Sequence, residues 1–347
     1  MNRKGVLYDV GRVMGGNLRP DYDPRLVRRE LEIISGDLHC TAVKVCARDV
    51  RRLVVASEAA LELGLEVWFC PELWGKDPPT TLQYLARAAD AAGELERRWP
   101  GRVVFSIGTE LSFFMRGILA GRTYAQRSQV AALPAQIASG EPTHRLNAFL
   151  ADAVRQVRRA FSGPVTYASL PFEQVDWTPF DIVGIDHYWM ESVKDRYVAR
   201  LEPLRAIGKP LVISELGFRT RTGAELTGPM GPENLDLPSF VLHRVPLVGR
   251  AVRPRVREVH ERDERLQADL LFRQLELLAS LGVDGAFVYT FVSPILTHDD
   301  DPRHDLDTDS FSLVKSYLPG RHGMTYSDMP WEPKEAFGAI ARFYAQH

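Results

Sequence analysis

A chain of 347 residues, 45% hydrophobic and 25% charged, has the make-up of an ordinary globular protein, with room for one large domain or two smaller ones. Its formal net charge of −2 gives no global field for a polyanion, so neither nucleic acid nor an anionic membrane surface is an expected partner. No apolar run approaches the roughly 20 residues that span a bilayer, and the start MNRKGVLYDVGRV lacks a long apolar stretch or a small-residue cleavage site, so a cytoplasmic location is expected.

In chain order, short apolar runs alternate with amphipathic segments. Residues 5–10 read as a first strand, followed by DPRLVRRELEII, where Asp23 caps a helix and Pro24 takes its first position. Further strands are read at residues 42–47, 66–71, 103–108, 165–169, 182–186, 211–214 and 286–290. Each is continuously apolar rather than alternating, as parallel strands covered on both faces should be. Helices are read at residues 53–63, 80–98, 144–161, 193–207, 261–281 and 333–345, while the helix after the fifth strand is doubtful because residues 172–179 are short and interrupted. Cys40, Cys46 and Cys70 are odd in number, lack CxxC spacing and sit among apolar residues; they are expected to be buried thiols, with no disulfide framework or metal site.

Eight strand-then-helix units predict an α/β fold, a (β/α)8 TIM barrel formed by one domain over residues 1–347. A doubly wound open sheet is the alternative, but GRVMGG at 11–16 lacks its G-x-G-x-x-G fingerprint and the P-loop lysine. Two stretches break the rhythm: residues 116–143 after strand four and 219–260 after strand seven. Loops of that length in a compact domain are usually functional. Arg244 to Arg257 holds five arginines and no acid, which reads either as a solvated face or as a contact for a partner or an anion.

The chemistry is suggested by two carboxylates. In VVFSIGTELSFF an apolar strand ends on Gly108-Thr109-Glu110, and in PLVISELGF a second one ends on Glu215. In a parallel barrel the functional mouth lies at the C-terminal ends of the strands. An ionised carboxylate there is costly unless it is paired, hydrogen-bonded or facing a wet cleft. Two at equivalent points suit glycoside hydrolysis, in which one carboxyl protonates the leaving oxygen and the other attacks the anomeric carbon. Tyr188 is positioned to donate a hydrogen bond to Glu215, and Arg48 to hold it ionised by charge. Glu72, a third strand-end carboxylate, either positions substrate or pairs with Arg48. Asp186 and His187 raise the same ambiguity. Aromatic residues near the mouth are Trp74, Phe113, Phe114, Trp177, Tyr188, Trp189 and Phe291; Trp74 and Trp189 directly follow strand ends and are the first candidates for stacking a sugar ring. The segment 297–309 is dense in aspartate and histidine but fits no EF-hand loop; it is expected to be a solvated loop or a cleft wall, with His298 and Asp299 nearest the ligand.

The strand order and the glutamates after strands four and seven resemble clan A of the glycoside hydrolases. Within it, IGTEL and ISELGFRT are similar to the family that contains β-mannanases, family 113. The resemblance implies Glu110 as acid/base and Glu215 as nucleophile of a retaining enzyme. It implies a small-molecule or oligosaccharide substrate and no metal or organic cofactor. Many clan members carry Asn where this chain has Thr109, whose shorter reach suggests a 2-substituted or non-standard sugar. Phe291 is expected to replace the tryptophan that often floors the sugar site. From KGVLYDVGRVMGGN through GLEVWFCPELW the whole chain also resembles actinobacterial proteins labelled "abortive infection protein", a phenotype rather than a reaction. Three other outcomes stay open: a transglycosylase, a proton-transfer catalyst of secondary metabolism using the same carboxylates, and a non-catalytic barrel that binds a defence partner.

Overall fold

The apolar runs pair in chain order into a closed parallel barrel: β1 (Arg3–Gly11), β2 (Ala42–Ala47), β3 (Glu66–Pro71), β4 (Val103–Thr109), β5 (Val165–Ser169), β6 (Val183–Asp186), β7 (Leu211–Leu216) and β8 (Gly285–Val288). This computed structural model describes residues 1–13, 16–229, 234–243 and 252–347. The continuous hydrophobicity of the strands has a direct cause. On β2, Ala42, Lys44 and Cys46 turn into the barrel while Val43, Val45 and Ala47 join the main core under the helices, and all six are buried. The barrel floor is a separate cluster of Ala42, Trp68, Val104, Ile182, Val212 and Phe287. Gly5 makes room for it, since a Cβ there would lie 2.4 Å from the Phe287 ring.

The outer layer follows the sequence closely at Pro24–Gly36, Val50–Glu62, Pro78–Arg98, Glu264–Ser280 and Glu335–Gln346. Asp23 caps the first of these by accepting from the Arg25 amide, with proline in the first turn. The helix expected at 144–161 starts earlier, at Glu141–Val157, because Pro142 is tolerated in its first turn. The segment between β5 and β6 is not helical. The single helix expected at 193–207 is instead broken into short pieces, Lys194–Tyr197 and Glu202–Arg205; Pro203 has no amide to continue a helix and sits in the first turn of the second piece.

Both insertions carry structure of their own. Residues 116–143 contain short helices at Tyr124–Arg127 and Leu133–Ala138, tied down by the buried Arg127, whose Nε donates to the Phe113 carbonyl at 2.6 Å. In the second insertion a helix spans Leu237–His243, and Leu235, Val256 and Leu306 form a small core with Phe240 and Leu296. Arg244 and Arg250 lie outside the described residues. Of the remaining arginines in that run, Arg253 pairs with Asp299 at 2.6 Å and Arg255 with Asp236 at 3.1 Å, so acids from elsewhere in the chain compensate the local excess. An antiparallel hairpin, β9 (Val314–Ser316) with β10 (Trp331–Pro333), precedes the last helix and was not legible in the sequence. Among the described residues no helix is long and apolar enough to cross a membrane.

Candidate active site

Both glutamates reach the mouth through an irregularity in their strand. On β4 the register against β5 shifts between Ser106 and Thr109, and Glu110 follows with φ 49° and ψ 46°, a left-handed conformation that is uncommon outside glycine. Backbone bonds hold it there: its amide donates to the Ala168 carbonyl at 2.9 Å, and its carbonyl accepts from Phe113 at 2.9 Å and Phe114 at 3.0 Å. The next amide, Leu111, donates to the Tyr167 hydroxyl at 2.8 Å, which in turn donates to Glu173 at 2.8 Å. On β7 the register shifts between Ile185 and Asp186 on one side and between Ile213 and Leu216 on the other. The extra residue lets Ser214 and Glu215 both engage groups of the barrel interior, as bulges commonly do beside active sites.

The two carboxyl groups occupy opposite environments. Lys44 Nζ lies 3.1 Å from Glu215 Oε1, and the Tyr188 hydroxyl donates to Oε2 at 3.2 Å. Lys44 is fully buried; desolvation opposes its charge, but Glu215 and Asp186 outweigh it and keep the ammonium well above its usual range. Among the described residues no cation pairs with Glu110. Burial, reinforced by the charges of Asp186 and Glu215, pushes its carboxyl well above the usual carboxylate range, and Lys44 offsets only part of this. Asp186, paired with Glu215 in register and accepting from the Ser214 hydroxyl, is likewise pushed up by burial and by the Glu215 charge.

A cleft of about 410 Å³ contains both glutamates together with Thr109 and Tyr188. One wall is a ladder of rings: Trp74 stacks on Phe114 at 4.2 Å, and Phe114 on Tyr124 at 5.2 Å. Arg12 closes the side next to it. Its Nε pairs with Asp9 at 2.8 Å, its Nη2 donates to the Tyr289 hydroxyl at 2.9 Å, and its guanidinium lies 5.7 Å from the Trp74 ring. Thr109 Oγ1 bridges inward, 3.3 Å from Glu72 and 3.5 Å from Lys44. Glu72 itself lies beneath the cleft rather than in it, and burial pushes its carboxyl well above the usual range.

Several expected residues lie elsewhere. Arg48 is exposed on the outer rim, in a surface depression with Gly11, Asn17 and Arg52; the cation beside Glu215 is Lys44. His187 turns away from the cleft, stacks on Tyr197 at 4.0 Å and engages the Tyr197 carbonyl at 2.9 Å. Trp189 packs on Phe218 at 6.3 Å and does not line the cleft. Phe291 is fully buried between Tyr8 and Trp331; Tyr289, two residues earlier, takes the place beside the acids. Phe113 and Trp177 are also core residues. His298 contacts Asp305 and Arg262, each at 3.1 Å, in an ion-pair network outside the cleft. The acidic segment divides accordingly. Residues 300–303 are exposed, whereas Asp305, Asp307 and Asp309 are buried counter-ions of Arg262, Lys334 and Arg219.

Lys44, Arg12 and Tyr289 were missed by sequence reasoning. Lys44 left a usable signal, because a lysine inside a run buried on both faces must find a counter-ion. Arg12 and Tyr289 left none that distinguishes them from their neighbours. Metal-capable donors do converge at one place among the described residues: Cys46 Sγ, Cys70 Sγ and a Glu72 oxygen lie within 4.8 Å of one another inside the barrel. The two cysteines are register partners, and Cys70 Sγ is 3.9 Å from Thr109 Oγ1. Cys40, Cys46 and Cys70 are all buried free thiols, as expected.

By sequence, the chain matches no family model and no curated protein. By structure it is similar to glycoside hydrolases with the TIM-barrel fold. A GH113 β-1,4-mannanase superposes with a TM-score of 0.61 at 15% identity, covering 99% of each chain. The GH113 β-mannanase AaManA from Alicyclobacillus acidocaldarius gives 0.55 at 15% identity, covering 99% of this chain and 97% of the other. A β-D-glucuronidase from Dictyoglomus thermophilum gives 0.57 at 12% identity and is covered over only 51% of its length. The abortive-infection resemblance gains no support from these comparisons. At such identities the likeness establishes the (β/α)8 fold, and the assignment of chemistry falls to the cleft itself.

Proposed function

We propose that the protein is a retaining O-glycosidase in which Glu215 is the nucleophile and Glu110 the general acid/base. The observation that carries this reading is the division of labour between two carboxyl groups in one cleft. Glu215 accepts from the Lys44 ammonium at 3.1 Å and the Tyr188 phenol at 3.2 Å, which hold its carboxyl in place for attack. Glu110 is driven toward its neutral acid by burial and by neighbouring negative charge, as a proton donor to the leaving oxygen requires. Glu215 would attack the anomeric carbon as Glu110 protonates the departing oxygen; Glu110, now a carboxylate, would take the proton of the water that releases the sugar. Tyr188 and Lys44 act on Glu215 as positioning residues. The similarity to GH113 β-mannanases and to a β-glucuronidase supports the reaction class and leaves the sugar to be determined.

The test uses a panel of 4-nitrophenyl glycosides and matching 2-deoxy-2-fluoro glycosides. The expected outcome is turnover with a product of retained anomeric configuration, covalent labelling of Glu215, and loss of both in Glu215→Ala. In Glu110→Ala, unactivated substrates should lose roughly 10²–10⁴-fold in rate, the 4-nitrophenyl glycosides much less, and azide should restore turnover. Unchanged turnover in Glu215→Ala refutes the assignment.

A further inference from the structure

We infer that the substrate is an amphiphilic glycoside, one sugar joined to an alkyl or aryl aglycone, rather than an oligosaccharide; the inference rests on the two-glutamate reading above. The inner end of the cleft is polar and suits a sugar, with Glu110, Glu215, Thr109, Tyr188, Arg12 and Tyr289 converging there. The outer end is different in kind. Leu235, Leu237, Phe240 and Val241 line it from the insertion after β7, and Ile295 and Leu296 from the loop after β8, with Ser293 the hydroxyl among them. The nearby charges are already matched, Arg219 against Asp309 at 3.1 Å.

Leu237, Phe240 and Val241 recur at helical spacing on one face of Leu237–His243, so the helix presents a continuous apolar strip to the cleft. Leu237 is 46% exposed and Val241 59%, although each lines a concave surface. That surface is also held in place. Phe240 and Leu296 pack on the buried Leu235, Val256 and Leu306, so the wall rests on a core of its own. Further sugar rings would set hydroxyl groups against this wall without partners, and an unpaired polar group taken from water costs more than the contact returns. A hydrocarbon aglycone loses nothing there and gains by leaving water. The bond to be cleaved joins the inner sugar to whatever occupies the outer end, so the apolar group is the aglycone.

The experiment measures calorimetric binding of methyl, hexyl and octyl 1-thio-β-glucosides and -mannosides to the full chain below their micelle concentrations, beside turnover of the 4-nitrophenyl panel. Affinity is expected to rise roughly threefold per added methylene, and at least 100-fold from methyl to hexyl for the preferred sugar. A Leu237→Asn/Val241→Asn double variant should flatten that series, whereas Val55→Asn, at an exposed apolar position outside the cleft, should leave it as in the parent. Turnover with no dependence on chain length, or tighter binding of cellohexaose or mannohexaose than of the octyl glycosides, overturns the aglycone assignment and leaves the catalytic reading standing. Absence of turnover across the panel removes the catalytic reading and this inference with it. A chain-length effect replaced by concentration-dependent dimerisation through the same strip overturns the inference in favour of a second copy as occupant.

Discussion

Replacing Lys44 by methionine isolates the electrostatic core of the site. The ammonium is fully buried, 3.1 Å from Glu215 Oε1, 3.4 Å from the Ser214 carbonyl and 3.5 Å from Thr109 Oγ1. Methionine nearly fills the volume but strands the carboxylate in the barrel, and breaking a buried pair from one side costs about 3–5 kcal/mol. Unfolding entropy scales with length, at about 0.7 kcal/mol per degree for a chain of this size. Lys44→Met should therefore lower Tm by roughly 4–7 °C. The pH dependence has a definite sign. The folded ammonium is held above its ordinary value of 10.5, so its contribution is complete below that pH and is lost only as pH rises through the raised value. The deficit should accordingly be constant from pH 6 to 9. Combining Lys44→Met with Glu215→Gln removes the stranded charge and should recover more than half of the lost Tm, whereas turnover stays absent. Scanning fluorimetry on the four proteins of this cycle provides the measurement. A Lys44→Met protein that melts like the parent, or a double variant as unstable as the sum of the singles, refutes the buried pair.

Glu110→Gln removes a carboxyl whose folded proton affinity is raised by burial; ionising it opposes folding, so stability is lost as pH rises above the ordinary 4.5. The variant should match the parent near pH 4 and melt progressively higher than it above pH 5, with parallel melting curves over the whole range refuting the shift. His187 is held down at about 4 from 6.5, chiefly by burial, so it stabilises the neutral protein and loses that contribution as pH falls through 4. In the parent this group should account for about 3 kcal/mol of the stability lost between pH 7 and 4, and His187→Phe, which preserves the stack on Tyr197, should melt with a shallower acid slope. Arg48→Ala should change kcat/KM less than twofold, because the side chain lies on the outer rim; a loss comparable to that of Lys44→Met would return Arg48 to the site.

The barrel was legible because parallel strands covered on both faces leave a plain signature, and every one of the eight apolar runs became a strand within a few residues. The two glutamates stood out for the same reason, as charges at the ends of such runs. What failed was inference one step further along the chain. Arg48 carries its charge just past β2, yet the inward-facing position is Lys44, four residues earlier and concealed within the strand. At β8 the strand ends at Val288, so Tyr289 enters the cleft and Phe291 turns to Tyr8 and Trp331. Rim residues depend on how a strand terminates, and that depends on neighbours distant in sequence. His298 illustrates the same limit, since its partners Arg262 and Asp305 are set by the fold of two loops.

The small core of Leu235, Val256 and Leu306 keeps the support of the outer cleft wall apart from that of the two glutamates. The cleft-lining Phe240 and Leu296 stand on a shelf whose hydrophobic support is distinct from the cluster packed around the barrel. Drift or deliberate diversification along 235–243 and 293–296 can thus alter preference while the register shifts and the lysine–glutamate pair below are left undisturbed. A library confined to those positions should vary in taste far more than in robustness.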